Sequence, residues 1–350
     1  MAMRSHQALS ACTLFFLCFL LGCSQQPAST EEVVFHSGPF KLVGDLRLPE
    51  GKRPNPAVIF VHGDGPNSRT AGGTYEPIME RMLRAGYATF AWDKPGTGES
   101  TGEIDRSRLI EQRAGIVLDA IETLKERPEI DPDQIGLWGV SQAGFVMPAV
   151  LSQSDDVTFM IAVSCPGGPG VEQGAYLVAS QAVCAGLPRE DHEQVAHLLA
   201  EVEWAETYDD YVDCVEQLLA YSGLEELGDL GVGFNLRVRP EEEWHAPNLA
   251  GDYFWNPMDV IEGTTIPVLA VFGEKDTQVD PIKGAQAYRR ALEGRDPRSR
   301  VELFPNGDHN IILSETGCLS ERETRSLAGW TDYPPEYLDL IEEWLRALRD

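Results

Sequence analysis

Ile135-Gly136-Leu137-Trp138-Gly139-Val140-Ser141-Gln142-Ala143-Gly144 runs from an apolar segment into a cluster of small residues around a serine. The apolar half reads as a buried strand, and a helical period begins directly after the serine. Gly139 and Ala143 stand two residues to either side of Ser141. A nucleophile on a sharp strand-to-helix turn sits in a strained backbone conformation, and bulky side chains at those flanking positions would clash. Such a turn lifts the Ser141 hydroxyl above the sheet edge. It also presents the following N–H groups at a helix N-terminus, where negative charge is stabilised. The pentapeptide is short, so its meaning depends on what surrounds it.

On either side the chain alternates between strands and helices. Val33 to Phe35 and Leu42 to Leu48 are β-rich runs separated by Ser37-Gly38-Pro39, the pattern of a hairpin. Ala57 to Val61 is continuously apolar, as in a strand covered on both faces, and it runs into the glycine-rich His62-Gly63-Asp64-Gly65-Pro66. Tyr75 to Ala85 has helical spacing closed by Gly86, and Ala88 to Trp92 is the next strand. Leu109 to Leu124 predicts a long amphipathic helix, Gln142 to Leu151 a helix after the serine, and Phe159 to Val163 another buried strand.

The alternation breaks over 165–263, which is acidic and mostly helical in period. Val195, Leu198, Leu199 and Val202 form one apolar stripe there, and Val212, Val215, Leu218 and Leu219 form a second. It resumes with a strand from Pro267 to Phe272, a helix near Ala285 to Leu292 and a strand from Val301 to Phe304. A last helix opens at Pro334-Pro335. The expected fold class is α/β: a mostly parallel, doubly wound sheet of residues 33–164 and 264–350, with 165–263 inserted as a helical cap. The stripes need cover, and the mouth of the site is the expected partner surface, with Trp204 and Trp244 as aromatic contributors.

Residues 1–22 stand apart from this core. Arg4 gives a positive start, and the apolar run Leu9 to Leu21 is too short to span a bilayer comfortably. It ends in Leu20-Leu21-Gly22-Cys23-Ser24, which resembles the bacterial lipoprotein signal, in which the cysteine is lipidated and becomes the new N-terminus. Residues 23–32 would then be a polar tether, the protein would sit at the bacterial cell envelope, and its membrane contact would be the Cys23 lipid. With 56 acidic against 28 basic residues the formal net charge is −28. Such a surface repels nucleic-acid backbones, so no nucleic-acid partner is expected. Of seven cysteines, Cys165, Cys184, Cys214 and Cys318 remain beyond the leader and Cys23. An exported protein permits oxidation. The sequence alone leaves three pairings open, and a Cys184–Cys214 bond between successive cap segments is the expected one.

The strand ending at Phe272 is followed by Gly273-Glu274-Lys275-Asp276-Thr277-Gln278-Val279-Asp280. The strand ending at Phe304 is followed by Pro305-Asn306-Gly307-Asp308-His309. Ser, Asp and His thus occur in that order, each just past a strand, and loops at that edge of an open α/β sheet converge. A serine hydroxyl needs a base as it attacks, and an imidazole titrates near neutrality. Ser141 is therefore the candidate nucleophile, His309 the base, and Asp276 the carboxylate that orients it. Backbone N–H groups of Gln142 and Asp64 are the candidate oxyanion donors. Asp280 is the rival acid. His62 and Cys165 read as structural, and Asp308 as a loop former. No Cys/His/Asp spacing makes a metal site, and no cofactor is expected.

Taken together, the serine turn, acid loop and histidine loop resemble the α/β-hydrolase superfamily from Val33 to the C-terminus. The His62 to Asn67 and Asp93 to Ser100 segments, with Tyr253-Phe254-Trp255-Asn256-Pro257, are similar to bacterial esterases related to prolyl oligopeptidase and to serine aminopeptidase-like hydrolases. The resemblance implies a serine hydrolase acting on small acyl esters. A peptidase with the same triad, or an envelope binding protein that kept only the fold, are the alternatives. Relatives often carry a neutral residue where Asp64 stands, so its carboxylate is expected to turn away toward Arg69.

Overall fold

The computed structural model describes residues 28–51, 53–221, 224, 236–249, 251–326 and 328–349. The leader, Cys23 and residues 24–27 of the expected tether lie outside the described residues. The end of that tether is not a tether, because the chain is already in a strand at Ser29.

Among the described residues eight strands form one sheet: β1 (Ser29–Ser37), β2 (Phe40–Leu48), β3 (Asn55–Val61), β4 (Ala88–Trp92), β5 (Ile130–Val140), β6 (Val157–Val163), β7 (Val268–Gly273) and β8 (Arg300–Phe304). Their order is β1-β2-β4-β3-β5-β6-β7-β8. β2 is antiparallel to β1 and β4, and all other neighbours are parallel. The α-helices in chain order are α1 (Glu76–Arg84), α2 (Leu109–Lys125), α3 (Ala143–Leu151), α4 (Gly170–Ala185) and α5 (His192–Trp204). They continue with α6 (Tyr208–Leu219), α7 (Met258–Ile261), α8 (Pro281–Ala291), α9 (Leu319–Glu323) and α10 (Pro335–Ala347).

Every residue of β3, β4 and β7 is buried, which is why these strands are almost wholly apolar, with Asn55 and Thr89 as the polar exceptions. Successive side chains leave opposite faces. Ile59 and Val61 join Val117, Ile121, Val146 and Tyr288 in one core layer, beneath α2, α3 and α8. Val58 and Phe60 join Ile78, Met82, Ile341 and Trp344 in the other, beneath α1 and α10. After β3 the chain turns one way to β4 and the other way to β5, so the sheet's topological switch lies between β3 and β5. Ligand clefts form at such switches, at the carboxyl ends of the strands. Ser141 follows β5 and the His62–Gly65 loop follows β3, placing both there.

Helices α4 to α7 lie between β6 and β7. The apolar stripe of α5 does not cover the site mouth. Val195, Leu198 and Leu199 close on Ala175, Val178, Ala179 and Ala182 of α4 and on Leu218 of α6. A stripe takes the nearest complementary face, and α4 supplies one within the same segment. Leu219, read as part of the second stripe, is exposed. The cysteine pairing also differs from expectation: Cys184 is bonded to Cys318, and Cys214 is a free thiol. α5 packs against both α4 and α6, so it stands between Cys184 and Cys214. The end of α4 instead meets the loop beyond β8. There the Gln181 Nε2 donates to Thr277 Oγ1 at 3.0 Å, Gln181 Oε1 accepts from the Leu319 N–H at 3.3 Å, and Thr277 Oγ1 donates to Gly317 O at 2.7 Å.

Candidate active site

Ser141 has φ +59°, a left-handed conformation that a residue with a side chain seldom adopts. Its N–H donates to Val163 O at 3.0 Å and its carbonyl accepts from the Gly144 N–H at 2.8 Å, so the turn is fixed from both sides. A Cβ on Gly139 would lie 2.5 Å from the Ala143 Cβ and 2.9 Å from the Met147 Sδ. Small residues are therefore required on both sides of the serine, as the spacing implied. A Cβ on Gly144 would come within 2.6 Å of the Cys165 Cβ. Cys165 itself is fully buried, its thiol donating to carbonyls of Val163 and Gly139, and burial pushes its pKa far up. It is a packing residue.

Past β7 and β8, two loops meet backbone to backbone. A Cβ on Gly273 would fall 2.2 Å from Asp308 O, and the Lys275 N–H donates to Gly307 O at 2.9 Å. This contact brings His309 Nδ1 to 2.8 Å from Asp276 Oδ2, with Asp276 2% and His309 5% exposed. The other carboxylate oxygen, Oδ1, accepts from the N–H groups of Gln278 (2.7 Å) and Val279 (3.0 Å). Asp276 is thus aimed before any substrate arrives. Asp280 does something different: it caps α8, accepting from Ile282 and Lys283 at 3.0 and 2.9 Å. Asp308 accepts from Asn310 and Ile312 and pairs with Arg325 at 2.8 Å, shaping its loop. Ser141 stands at the same carboxyl-end edge. Among the described residues no hydrogen bond joins its hydroxyl to His309, and such contacts commonly tighten only when substrate binds.

The glycine-rich loop abuts the serine turn. A Cβ on Gly63 would lie 3.2 Å from Val140 O and 3.4 Å from the Ser141 Cβ. Among the described residues the N–H groups of Asp64 and Gln142 donate to no protein acceptor, so both are free for an oxyanion. His62 is buried, with Nε2 donating to Trp92 O at 2.6 Å. Burial drives its pKa down to about 3, which keeps the ring neutral at physiological pH.

The Asp64 side chain does not reach Arg69, contrary to expectation. Arg69 is already bound to Asp45, Asp93 and Glu99 at 2.7, 2.9 and 3.0 Å, whereas Asp64 Oδ1 accepts from Gln142 Nε2 at 3.2 Å. Two further residues at this loop escaped sequence reading. Arg113 of α2 donates to His62 O and to Gln142 Oε1, and Lys94 Nζ donates to Gly63 O at 3.0 Å. A cation in an amphipathic helix or after a strand ordinarily reads as solvated, so neither carried a signal.

Between α4, α5 and the Asp276 loop lies a cleft of about 1330 Å³, with Tyr176, His192, Trp204, Lys275, Asp276 and Asp280 in its walls. Ser141 and His309 are not among the lining residues, so this cleft borders the Asp276 loop and not Ser141 itself. α4 is tied to that loop by Tyr176 Oη donating to Asp276 O at 2.8 Å and Gln173 Nε2 donating to Gln278 O at 3.0 Å. Trp204 packs edge-on to Phe254 at 4.8 Å. Trp244, expected at the site, sits instead with Tyr208 and Tyr211 at 5.9 and 6.0 Å, packed against the small apolar cluster of Ala205, Tyr211 and Val215.

A solved esterase of Pyrococcus furiosus shares the architecture, with a TM-score of 0.54 over 91% of this chain and 93% of that one at 17% identity. Among curated sequences, Esterase EstD of Thermotoga maritima is 23% identical over 285 residues, 78% of this chain and 59% of that protein. Thiohydrolase aneE of Aspergillus aculeatus is 31% identical over 130 residues, 36% of this chain and 38% of that protein. The chain therefore spans less than two thirds of the length of either relative. Residues 58–317 match the sequence profile described as the alpha/beta hydrolase family. That match runs from β3 to the residue before Cys318 and takes in the serine turn and both loops beyond the last strands. Sheet order and profile agree, and the chain belongs to the alpha/beta hydrolase family.

Proposed function

We propose that the protein is a serine hydrolase cleaving carboxylic esters of small acyl compounds. The observation that carries this reading is the buried 2.8 Å hydrogen bond between His309 and Asp276, at the sheet edge where Ser141 is held at positive φ. In this reading His309 Nε2 takes the proton of the Ser141 hydroxyl as its oxygen attacks the ester carbonyl. Asp276 holds the other ring N–H and stabilises the imidazolium. The tetrahedral oxyanion is met by the N–H groups of Gln142 and Asp64. Its collapse breaks the C–O bond, His309 returns the proton to the departing alcohol, and water then releases the acid from the acyl-enzyme by the same steps. EstD and aneE carry the names of an esterase and a thiohydrolase, which supports the class. Ester leaving groups need less protonic assistance than amines, so esters are the first choice over peptides.

A fluorophosphonate probe tests the reading. The wild type should be labelled at Ser141 and the Ser141→Ala variant should not, and short p-nitrophenyl esters should be cleaved faster than aminoacyl p-nitroanilides. Absence of labelling would favour a binding protein, and a preference for the anilides would favour a peptidase.

The same reading places the protein at a bacterial cell envelope through lipid on Cys23, supported by the Leu20 to Ser24 pattern. Cys23→Ser should abolish incorporation of radiolabelled palmitate and release the protein from the membrane fraction, with esterase activity retained in detergent. An unlipidated variant that still pellets with membranes would count against the anchor.

A further inference from the structure

Two buried cations hold the loop that carries Asp64. Lys94, just after β4, is 8% exposed and Arg113 is 5% exposed. Among the described residues neither pairs with a carboxylate. An unpaired buried charge is among the costliest features a fold can retain. Their donors go instead to the loop itself: Lys94 Nζ to Gly63 O at 3.0 Å, and Arg113 to His62 O and Gln142 Oε1. The second of the Arg113 bonds fixes which way the Gln142 amide points, so that its Nε2 is the atom facing Asp64 Oδ1 at 3.2 Å.

The Gly63 carbonyl and the Asp64 N–H belong to one peptide unit. A strong donor on the oxygen of an amide polarises the unit and makes its N–H a better donor in turn. The other oxyanion donor, Gln142 N–H, shares its peptide with the Ser141 carbonyl, which accepts from the neutral Gly144 N–H at 2.8 Å. The two donors are therefore unequal. We propose that Lys94 and Arg113 are positioning residues of the oxyanion site: Lys94 polarises the Gly63–Asp64 peptide, and Arg113 locks the loop and the Gln142 side chain around it. This rests on the hydrolase reading above.

The charge balance supports the assignment. The groups facing Lys94 are Arg113 from α2, with His62 and Asp64 from the end of β3 and the loop beyond it. His62 is neutral, and Arg113, lowered by burial to about 10, stays cationic through the neutral range. Burial and Arg113 bring Lys94 down to about 7, with Asp64 opposing, and the amine donates to Gly63 O in either protonation state. An aspartate beside an oxyanion hole would oppose the charge developing there, and the Arg113 guanidinium behind the loop offsets it.

Lys94→Met keeps the aliphatic stem and removes the donor, while Lys94→Gln keeps a neutral one. On p-nitrophenyl acetate, Lys94→Met should lower kcat about 10-fold with KM within about two-fold. Deleting a whole oxyanion donor costs on the order of 10²–10³ in kcat, and here only its polarisation is lost. Affinity for a trifluoromethyl ketone, whose hemiketal oxygen occupies the same site, should fall by a similar factor. Lys94→Gln should lie between Lys94→Met and wild type. A Lys94→Met protein with wild-type circular dichroism and unchanged kcat, or with its loss confined to KM, overturns the proposal. Should Lys94→Met not fold, a Lys94→Gln variant with wild-type kcat overturns it equally. A wild type that neither labels with fluorophosphonate nor cleaves esters overturns the hydrolase reading and this proposal together. An active wild type indifferent to Lys94 overturns this proposal alone.

Discussion

Ser141→Ala is expected to lower ester turnover on the order of 10⁴–10⁶-fold, and His309→Ala by a similar factor, because nucleophile and base act as one unit. Asp276→Asn should cost on the order of 10⁴-fold, since an amide at that position favours the wrong imidazole tautomer. The two N–H groups that hold Asp276 Oδ1 from Gln278 and Val279 would still anchor the replacement, so the loss should appear in kcat and not in folding. Asp280→Ala separates the rival. It removes the cap bonds to Ile282 and Lys283, at about 1 kcal/mol of stability, and should leave kcat near wild type. Steady-state kinetics with thermal melts on the four variants provides the check. If Asp280→Ala lost as much turnover as Asp276→Asn, the acid would have to be reassigned.

The second large effect is on stability. The double variant Cys184→Ser/Cys318→Ser removes a bond spanning 134 residues of sequence. Closing so long a loop in the unfolded chain is worth about 5 kcal/mol by chain entropy, and measured losses are usually about 2–4 kcal/mol. The denaturant midpoint should fall accordingly, and wild type in reductant should fall to the same level. Cys214→Ser should change neither. The bond also joins α4 to the loop beyond β8, and α4 carries the Tyr176 and Gln173 contacts to the Asp276 loop. A modest fall in kcat should therefore accompany the loss of stability. Mass mapping that found Cys184 joined to Cys214, or Cys318 free, would refute the arrangement of the cap. A disulfide also requires an oxidising compartment, which fits the envelope location proposed from Cys23.

The sheet was readable residue by residue because its signals are local. Runs such as Ala57 to Val61 and Val268 to Phe272 can stay apolar throughout only if both faces are covered, and both are. The small residues at Gly139 and Ala143 follow from the crowding around one turn. Asp276 and His309 could be paired in advance because each follows a strand of one parallel sheet, whose carboxyl ends share an edge. What stayed hidden depended on which distant surfaces meet. Apolar stripes show that α5 and α6 need cover but not that α4 provides it. Four cysteines carry no record of their neighbours, and only the packing of α5 between α4 and α6 separates Cys184 from Cys214. Asp64 found Gln142 and not Arg69 because four other carboxylates had taken that guanidinium. Lys94 and Arg113 are unremarkable charges in the chain. They acquire a role once folding removes them from water and leaves the carbonyls of one loop as their partners. Periodicity and turn chemistry act over a few residues and so are written in the sequence, whereas desolvation and competition for a partner exist only in the assembled molecule.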